Sequence, residues 1–314
     1  MPQLDHREVE HEITVQAPAE AVYRLIAEVE NWPTIFPPTI HVDYLARGDR
    51  DERIRIWATA NGEAKSWVSR RRLEPEGLRI DFRQEVSAPP VGQMGGTWLI
   101  EPLTNDSSRV RLLHDYRAVD DDPAKLAWID DAVDRNSRSE LAALRRNVEL
   151  ATGSTELTLS FADTVRVAGA AKDVYEFIAE AQHWGERLPH VARVDLREDT
   201  RGLQRLEMDT RTKDGSTHTT ASFRVCFPHR RIVYKQVTLP ALMSLHTGYW
   251  QLTETTDHVE VTSQHTVVVN PESITSILGA GAGIADAREF VRSALSGNSL
   301  ATLNHAKEYA ESRR

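Results

Sequence analysis

Apolar and polar residues alternate along His11-Glu-Ile-Thr-Val15 and again along Asp163-Thr-Val-Arg-Val167, the pattern of a strand with one buried face. Each segment runs through a break of small residues into a helical pattern. Val22, Leu25 and Ile26 fall at i, i+3 and i+4, and Val174, Phe177 and Ile178 repeat that spacing. The first of these helices is expected to end near Asn31-Trp32-Pro33, where the stretch FPPTI turns the chain. Strand-like segments follow in the first half: VDYLARG, RIRIWATA, KSWVSRRRL, LRIDFRQEV, GTWLIEPL and RVRLLHDYRA. Turn residues separate them at Asn61-Gly62, Pro75-Glu-Gly77 and Asn105-Asp106. The second half reads RVDLRED, RLEMDTRT, TTASFRVCF, RIVYKQV, TGYWQLTET and VEVTSQHTVVV, with a turn at Asp214-Gly215. Each half closes on a long helical segment, over 123–151 and 284–311, and Leu126, Ile129, Val133, Leu141, Leu144 and Val148 mark the stripe of the first.

The two halves are copies. AEAVYRLIAE at 19–28 recurs as AKDVYEFIAE at 171–180, an offset of 152. At that offset Trp32 meets Trp184, Pro37 meets Pro189, and Gly96-x-Trp98 meets Gly248-x-Trp250. Asn136-Ser137 with Leu141 recurs as Asn298-Ser299 with Leu303. Solenoid repeats have periods of about 20–50 residues, so this spacing means two complete domains, 1–152 and 153–314, joined near Gly153-Ser154-Thr155. In each, a strand, two short helices, six antiparallel strands and a long last helix predict an α+β domain. Its curved sheet would wrap around the terminal helix and enclose a cavity.

With 314 residues, each half is long enough to bury its own core. A hydrophobic content of 40% beside 27% charged residues describes a soluble protein, and no run approaches the ~18 apolar residues of a membrane span. The start, MPQLDHREVEHE, does not read as a signal peptide. A single cysteine, Cys226, excludes an internal disulfide framework and fits the cytoplasm. The net charge of −9 argues against nucleic acid as a partner.

The chain has no Gly-rich phosphate loop, no G-x-S-x-G elbow and no His/Cys set at zinc spacing; no metal or cofactor is expected. His218 and His229 fall on different strands. The run Gly279-Ala-Gly-Ala-Gly283 reads as a loop before the last helix. What remains is Trp67-Val-Ser69-Arg-Arg71. Alternation places Trp67, Ser69 and Arg71 on one face and Val68, Arg70 and Arg72 on the other. From the pattern alone, the Ser69 face either looks into the domain or is solvated. If it looks inward, an arginine there needs an oxygen to hold, and Asn136 on the closing helix could add a second polar group. The second copy carries Thr220-Ala-Ser222-Phe-Arg224, so Ser-x-Arg occurs twice and the tryptophan once.

N-W-P-x-x-F-P from Asn31, W-x-S-x-R from Trp67, A-P-P-x-x-x-M-x-G-x-W from Ala88 to Trp98 and the terminal-helix Asn together resemble the polyketide aromatase/cyclases of bacterial type II polyketide synthases, in their di-domain branch. The resemblance covers essentially the whole chain. It implies a helix-grip fold shared with START and Bet v 1-like domains, and no cofactor. It implies a substrate as well: a poly-β-ketone thioester on an acyl carrier protein, handled beside the other synthase components. The implied reaction is first-ring closure, typically C7 to C12, or aromatisation. Carried across, the family's pocket serine, arginine and asparagine fall on Ser69, Arg71 and Asn136, and its aromatic walls on Trp32, Trp67 and Trp98. Phe36 stands where a tyrosine is common. In the second copy Ser222, Arg224, Asn298, Trp184 and Trp250 match, Thr220 replaces the tryptophan, and Leu188 takes the place of Phe36. Lys235 is read as standing where the first copy has Gln84.

The chemistry expected of such a pocket is pre-orientation of two carbons. Arg71 would polarise a ketone, Ser69 would relay protons through a water, and Asn136 would orient a second oxygen. No general base emerges from the sequence. The first pocket suits ring closure and the second assistance or dehydration. Two other readings stand beside this one: a dehydratase acting on a cyclised, ketoreduced intermediate, and a non-catalytic carrier of a lipid or aromatic ligand.

Overall fold

A computed structural model of the chain describes residues 6–151, 155–211, 215 and 217–313, with side chains at all of these except 149–151 and 155. Gly153 and Ser154 of the expected linker, and Asp214 of the expected turn, lie outside the described residues. The chain divides into two compact units, Met1–Ser154 and Thr155–Arg314.

The first unit begins with β1 (Arg7–Val15), α1 (Ala19–Ala27) and α2 (Trp32–Ile35). Six strands follow: β2 (Thr39–Arg47), β3 (Asp51–Ala60), β4 (Glu63–Glu74), β5 (Arg79–Val86), β6 (Val91–Thr104) and β7 (Ser107–Ala118); then comes α3 (Pro123–Ala151). They form one antiparallel sheet in the order β1-β7-β6-β5-β4-β3-β2. The second unit repeats the scheme with β8 (Thr158–Val167), α4 (Ala171–Ala179), α5 (Trp184–Arg187), β9 (Val191–Thr200), β10 (Leu203–Arg211), β11 (Thr217–Phe227), β12 (Arg231–Thr238), β13 (Met243–Glu254) and β14 (Val259–Val269). It closes with α6 (Ile274–Leu278) and α7 (Ile284–Glu311), and its sheet order is β8-β14-β13-β12-β11-β10-β9. Both units are helix-grip domains.

Two local details depart from expectation. Trp32-Pro33, read as a helix end, instead starts α2, because proline's fixed φ suits a first turn. At the Pro75-Glu-Gly77 turn the left-handed residue is Leu78, at φ 47°, whose N–H closes a tight turn onto the Pro75 carbonyl. The Asn61-Gly62 hairpin has positive φ at both residues, as a two-residue β-hairpin requires.

The stripe of α3 is buried as its spacing dictates. Leu141, Leu144 and Val148 pack with Val22 and Ile26 of α1 and with Ile100 and Leu112 of the sheet. Leu126, Ile129 and Val133 form a separate cluster with Tyr116 and Ala118. Residues 134–140 of α3 lie between the two clusters along the helix.

The duplicated Gly-x-Trp has a steric cause. A Cβ on Gly96 would lie 2.0 Å from the Leu113 carbonyl oxygen and 2.6 Å from the Phe82 ring; on Gly248 it would lie 2.1 Å from the Gln264 oxygen and 2.6 Å from the Tyr234 hydroxyl. Only glycine lets an aromatic side chain of the neighbouring strand cross the sheet at that point.

Candidate active site

The ladder of the first sheet fixes which side chains share its inner face. Ser69 on β4 pairs with Ile54 on β3 and Gln84 on β5. Arg71 pairs with Glu52 and Phe82, Phe82 with Gly96, and Gly96 with His114 on β7. These inner positions open on a cavity of about 100 Å³. Ser69, Arg71, Gln84, Trp32, Phe36, Trp67 and Trp98 all line it, so the Trp67 face of β4 is the inward one. Phe36 and Trp98 stack at 5.9 Å between ring centroids, and Trp32 meets Phe36 edge-on at 5.5 Å.

The oxygens that Arg71 holds belong to the protein. Its guanidinium donates to the carbonyls of Ile26 (3.2 Å) and Ala27 (3.1 and 3.2 Å) at the end of α1, lies 3.3 Å from the Glu52 carboxylate, and sits over the Trp32 ring at 5.2 Å. It therefore satisfies carbonyls that a helix terminus leaves open and places a cation at the negative end of the helix dipole. Burial pulls its pKa down to about 10, Glu52 opposing, so it stays charged at neutral pH. Burial also raises the Glu52 pKa, against the lowering effect of Arg71.

Asn136 is not among the cavity-lining residues. Its Nδ2 donates to the Thr59 carbonyl at 3.0 Å, tying α3 to the end of β3. A larger groove of about 1040 Å³ between β1 and α3 is open and lined by side chains already paired, His11 with Asp134 and Tyr116 with Asp130. The smaller cavity, where Ser69, Arg71 and Gln84 meet between aromatic walls, is the better candidate.

His114, absent from the sequence reading, is the titratable group that changes the site. It lines the cavity, its Nδ1 has no hydrogen-bond partner, and its ring meets Phe82 edge-on at 5.5 Å. Burial lowers its pKa to about 4. It is therefore a neutral imidazole at physiological pH. Gln84 Oε1 is likewise buried without a partner, and Glu140 of α3 completes the polar lining.

In the second unit Arg224 repeats the helix cap, donating to the Ile178 carbonyl at 2.6 Å and lying over Trp184 at 5.3 Å. Trp250 and Trp184 are buried. Two expectations need correction. Lys235 does not replace Gln84: Ser69 pairs with Gln84 as Ser222 pairs with Gln236, and alternation puts Lys235 on the face opposite Tyr234 and Gln236. Asn298 is exposed on α7, whereas Ser299 is buried with Leu303 and Ala306, because the helix turns the serine and not the asparagine towards the sheet.

Two models described as polyketide cyclase/dehydrase and lipid transport match the chain, over residues 6–149 and 167–292. The chain is 55% identical to the granaticin polyketide synthase bifunctional cyclase/dehydratase of Streptomyces virginiae, over 94% of the chain and 97% of the relative. It is 46% identical to the actinorhodin counterpart of Streptomyces coelicolor, over 96% of each. Among solved structures, the di-domain aromatase/cyclase BexL of the BE-7585A pathway has a TM-score of 0.87 at 64% identity, and StfQ of the steffimycin pathway has 0.86 at 36%. Each comparison covers 97% of the chain and 99% of the structure.

Proposed function

The chain belongs to the polyketide cyclase/dehydrase family and, with its relatives, is a cyclase/dehydratase enzyme; from that premise we propose that its first domain closes and dehydrates the first ring of a poly-β-ketone. The substrate would arrive as a thioester on an acyl carrier protein, and C7 to C12 would be the bond formed. One observation carries the reading: Ser69, Arg71, Gln84 and His114 converge on a single cavity whose walls are Trp32, Phe36, Trp67 and Trp98.

The aromatic walls hold a flat, partly conjugated chain folded with two of its carbons in contact. His114 supplies the base that the sequence did not reveal: it takes a proton from the methylene between two carbonyls. The Ser69 hydroxyl donates to the ketone oxygen under attack. Arg71, locked by Glu52 and the end of α1, contributes a fixed positive charge beside the oxygen on which negative charge develops. Protonated His114 then returns its proton, to the new alkoxide or to the hydroxyl that leaves as water. At about 100 Å³ the cavity is smaller than the ~300 Å³ typical of a small-molecule pocket, so side chains at its mouth must move to admit substrate.

The test is product analysis of a minimal polyketide synthase with and without this protein, with and without a ketoreductase. A change from spontaneous to regiospecific first-ring products is the expected result. Identical products in all arms would leave the chain a ligand carrier.

A further inference from the structure

The inner face of the second domain differs from that of the first at three matched positions. Phe82, facing Gly96, becomes Tyr234, facing Gly248. Met94 becomes His246, two residues before the same glycine. Glu52, facing Arg71, becomes Gln204, facing Arg224, and Gln204 donates to the Glu198 carboxylate at 2.6 Å, so the second arginine's carboxylate acts through an intervening amide.

Tyr234 and His246 join His265, which faces Gly248 as His114 faces Gly96. The Tyr234 hydroxyl lies 2.7 Å from His265 Nδ1 and 3.2 Å from His246 Nε2, and His265 Nε2 lies 2.6 Å from the Ser299 hydroxyl. His246 Nε2 also lies 3.0 Å from His265 Nδ1. Two proton arrangements satisfy these contacts; in the one where Tyr234 donates to His265 Nδ1, His265 Nε2–H donates to Ser299 and His246 Nε2–H donates to the Tyr234 oxygen, His246 Nδ1 carries a lone pair with no partner. Arg224 Nη1 and Gln236 Oε1 are also buried without partners. Arg224 is 2% exposed and His246 3%, whereas Ser222 and Gln236 are half-buried. Buried polar atoms are almost always bonded; three open ones on one face are places for the polar groups of a guest.

We infer that the second domain is a separate dehydration site for a cyclic β-hydroxyketone, with Arg224 holding its ketone oxygen and His246 Nδ1 acting as base. The identity of the guest rests on the polyketide reading above. Its chemistry follows from the open atoms: one N–H donor for a carbonyl or enolate oxygen, and two acceptors for a hydroxyl and for an acidic C–H. His246 Nδ1 removes the proton from the carbon between ketone and carbinol. A carbon–carbon double bond forms as the carbon–oxygen bond breaks, and the hydroxide takes the proton back from His246 and leaves as water. No oxidant or cofactor is needed. Tyr234, His265 and Ser299 position His246 and keep Nδ1 the unprotonated nitrogen.

The first domain supplies well-tolerated variants, since His246→Met and Tyr234→Phe install the residues found there. The probe is synthetic β-hydroxytetralone, whose dehydration gives fluorescent naphthol. Full-length His246→Met is expected to slow naphthol formation by about 100-fold with its melting temperature retained. Tyr234→Phe is expected to slow it less and to shift its pH profile, a change that a purely structural tyrosine would not cause. In the synthase assay, His246→Met is expected to lower the share of dehydrated product, with the first domain's own dehydration remaining. Unchanged naphthol rates in a folded His246→Met protein would overturn the inference while leaving ring closure by the first domain standing. If the wild-type chain leaves synthase products unchanged, that reading fails alone, and the inference stands or falls on the naphthol assay.

Discussion

Arg71 and Glu52 form an ion pair at 3.3 Å with both side chains nearly sealed from solvent, at 2% and 3% exposure. The arginine also holds the end of α1, so the carboxylate fixes a residue that braces the fold and faces the cavity at once. Removing one partner of a buried pair leaves a charge without compensation. Glu52→Ala is expected to cost about 3–5 kcal/mol in denaturant unfolding. Glu52→Gln, which copies Gln204 of the second domain, should cost distinctly less. Equal, small losses for both would show that the pair carries little of the stability.

Gly96→Ala places a methyl group against the Leu113 carbonyl and the Phe82 ring. The backbone oxygen cannot move without opening the β6–β7 ladder, so a loss of roughly 1–3 kcal/mol is expected. Gly62→Ala meets nothing within 4 Å, but its φ is +82°, which isolates the conformational cost of a left-handed residue. A thermal melt in which Gly96→Ala is the milder of the two would contradict the steric account.

His114, His246 and His265 are held by burial at pKa values of about 4, 3 and 4, below the ordinary 6.5. Below pH 6.5 the unfolded chain therefore binds protons that the native chain does not, and stability rises with pH wherever that holds. The contribution of neutral histidine is complete above pH 6.5. It is lost progressively as pH falls towards the folded values of about 4 and 3, and it changes no further below them. The melting temperature is expected to fall across that window, and less steeply in a His246→Met, His114→Gln double variant. A wild-type melting temperature that rises on acidification from pH 6.5 would refute the assignment of neutral buried imidazoles.

The fold was legible in the sequence because its period-two strands and helical stripes are long and occur twice. Both terminal helices, Pro123–Ala151 and Ile284–Glu311, match the pattern to the residue. The site was only half legible. Alternation put Trp67, Ser69 and Arg71 on one face of β4 but left open which way that face looks, and nothing in Ser-x-Arg says that the arginine's oxygens are the helix carbonyls of Ile26 and Ala27. His114 was hidden by one residue. Its counterpart His265 lies at an offset of 151, because the second copy has a shorter path from Gly248 to its facing strand, and the offset of 152 that aligns the glycines puts His114 against Thr266. Asn136 and Asn298 drew attention because they recur, yet in each pair it is the following serine, Ser137 or Ser299, that is buried.

That contrast between His114 and Asn136 gives the decisive variants for the first domain. His114 is the neutral imidazole in the cavity wall, so His114→Gln keeps a polar side chain but removes the base; it is expected to lower the rate of first-ring closure by about 100-fold or more with little change in melting temperature. Ser69→Ala removes the donor to the ketone oxygen, and its rate loss is expected to be smaller, about 10-fold. Asn136→Ala breaks the bond to the Thr59 carbonyl and leaves that acceptor open. It is expected to cost roughly 1 kcal/mol of stability while the product pattern stays that of wild type. Rates and melts measured together on the three variants separate these roles. If Asn136→Ala abolishes cyclisation in a protein of normal stability while His114→Gln does not, the reacting atoms lie towards α3, and the cavity wall built by β4, β5 and β7 is only a scaffold.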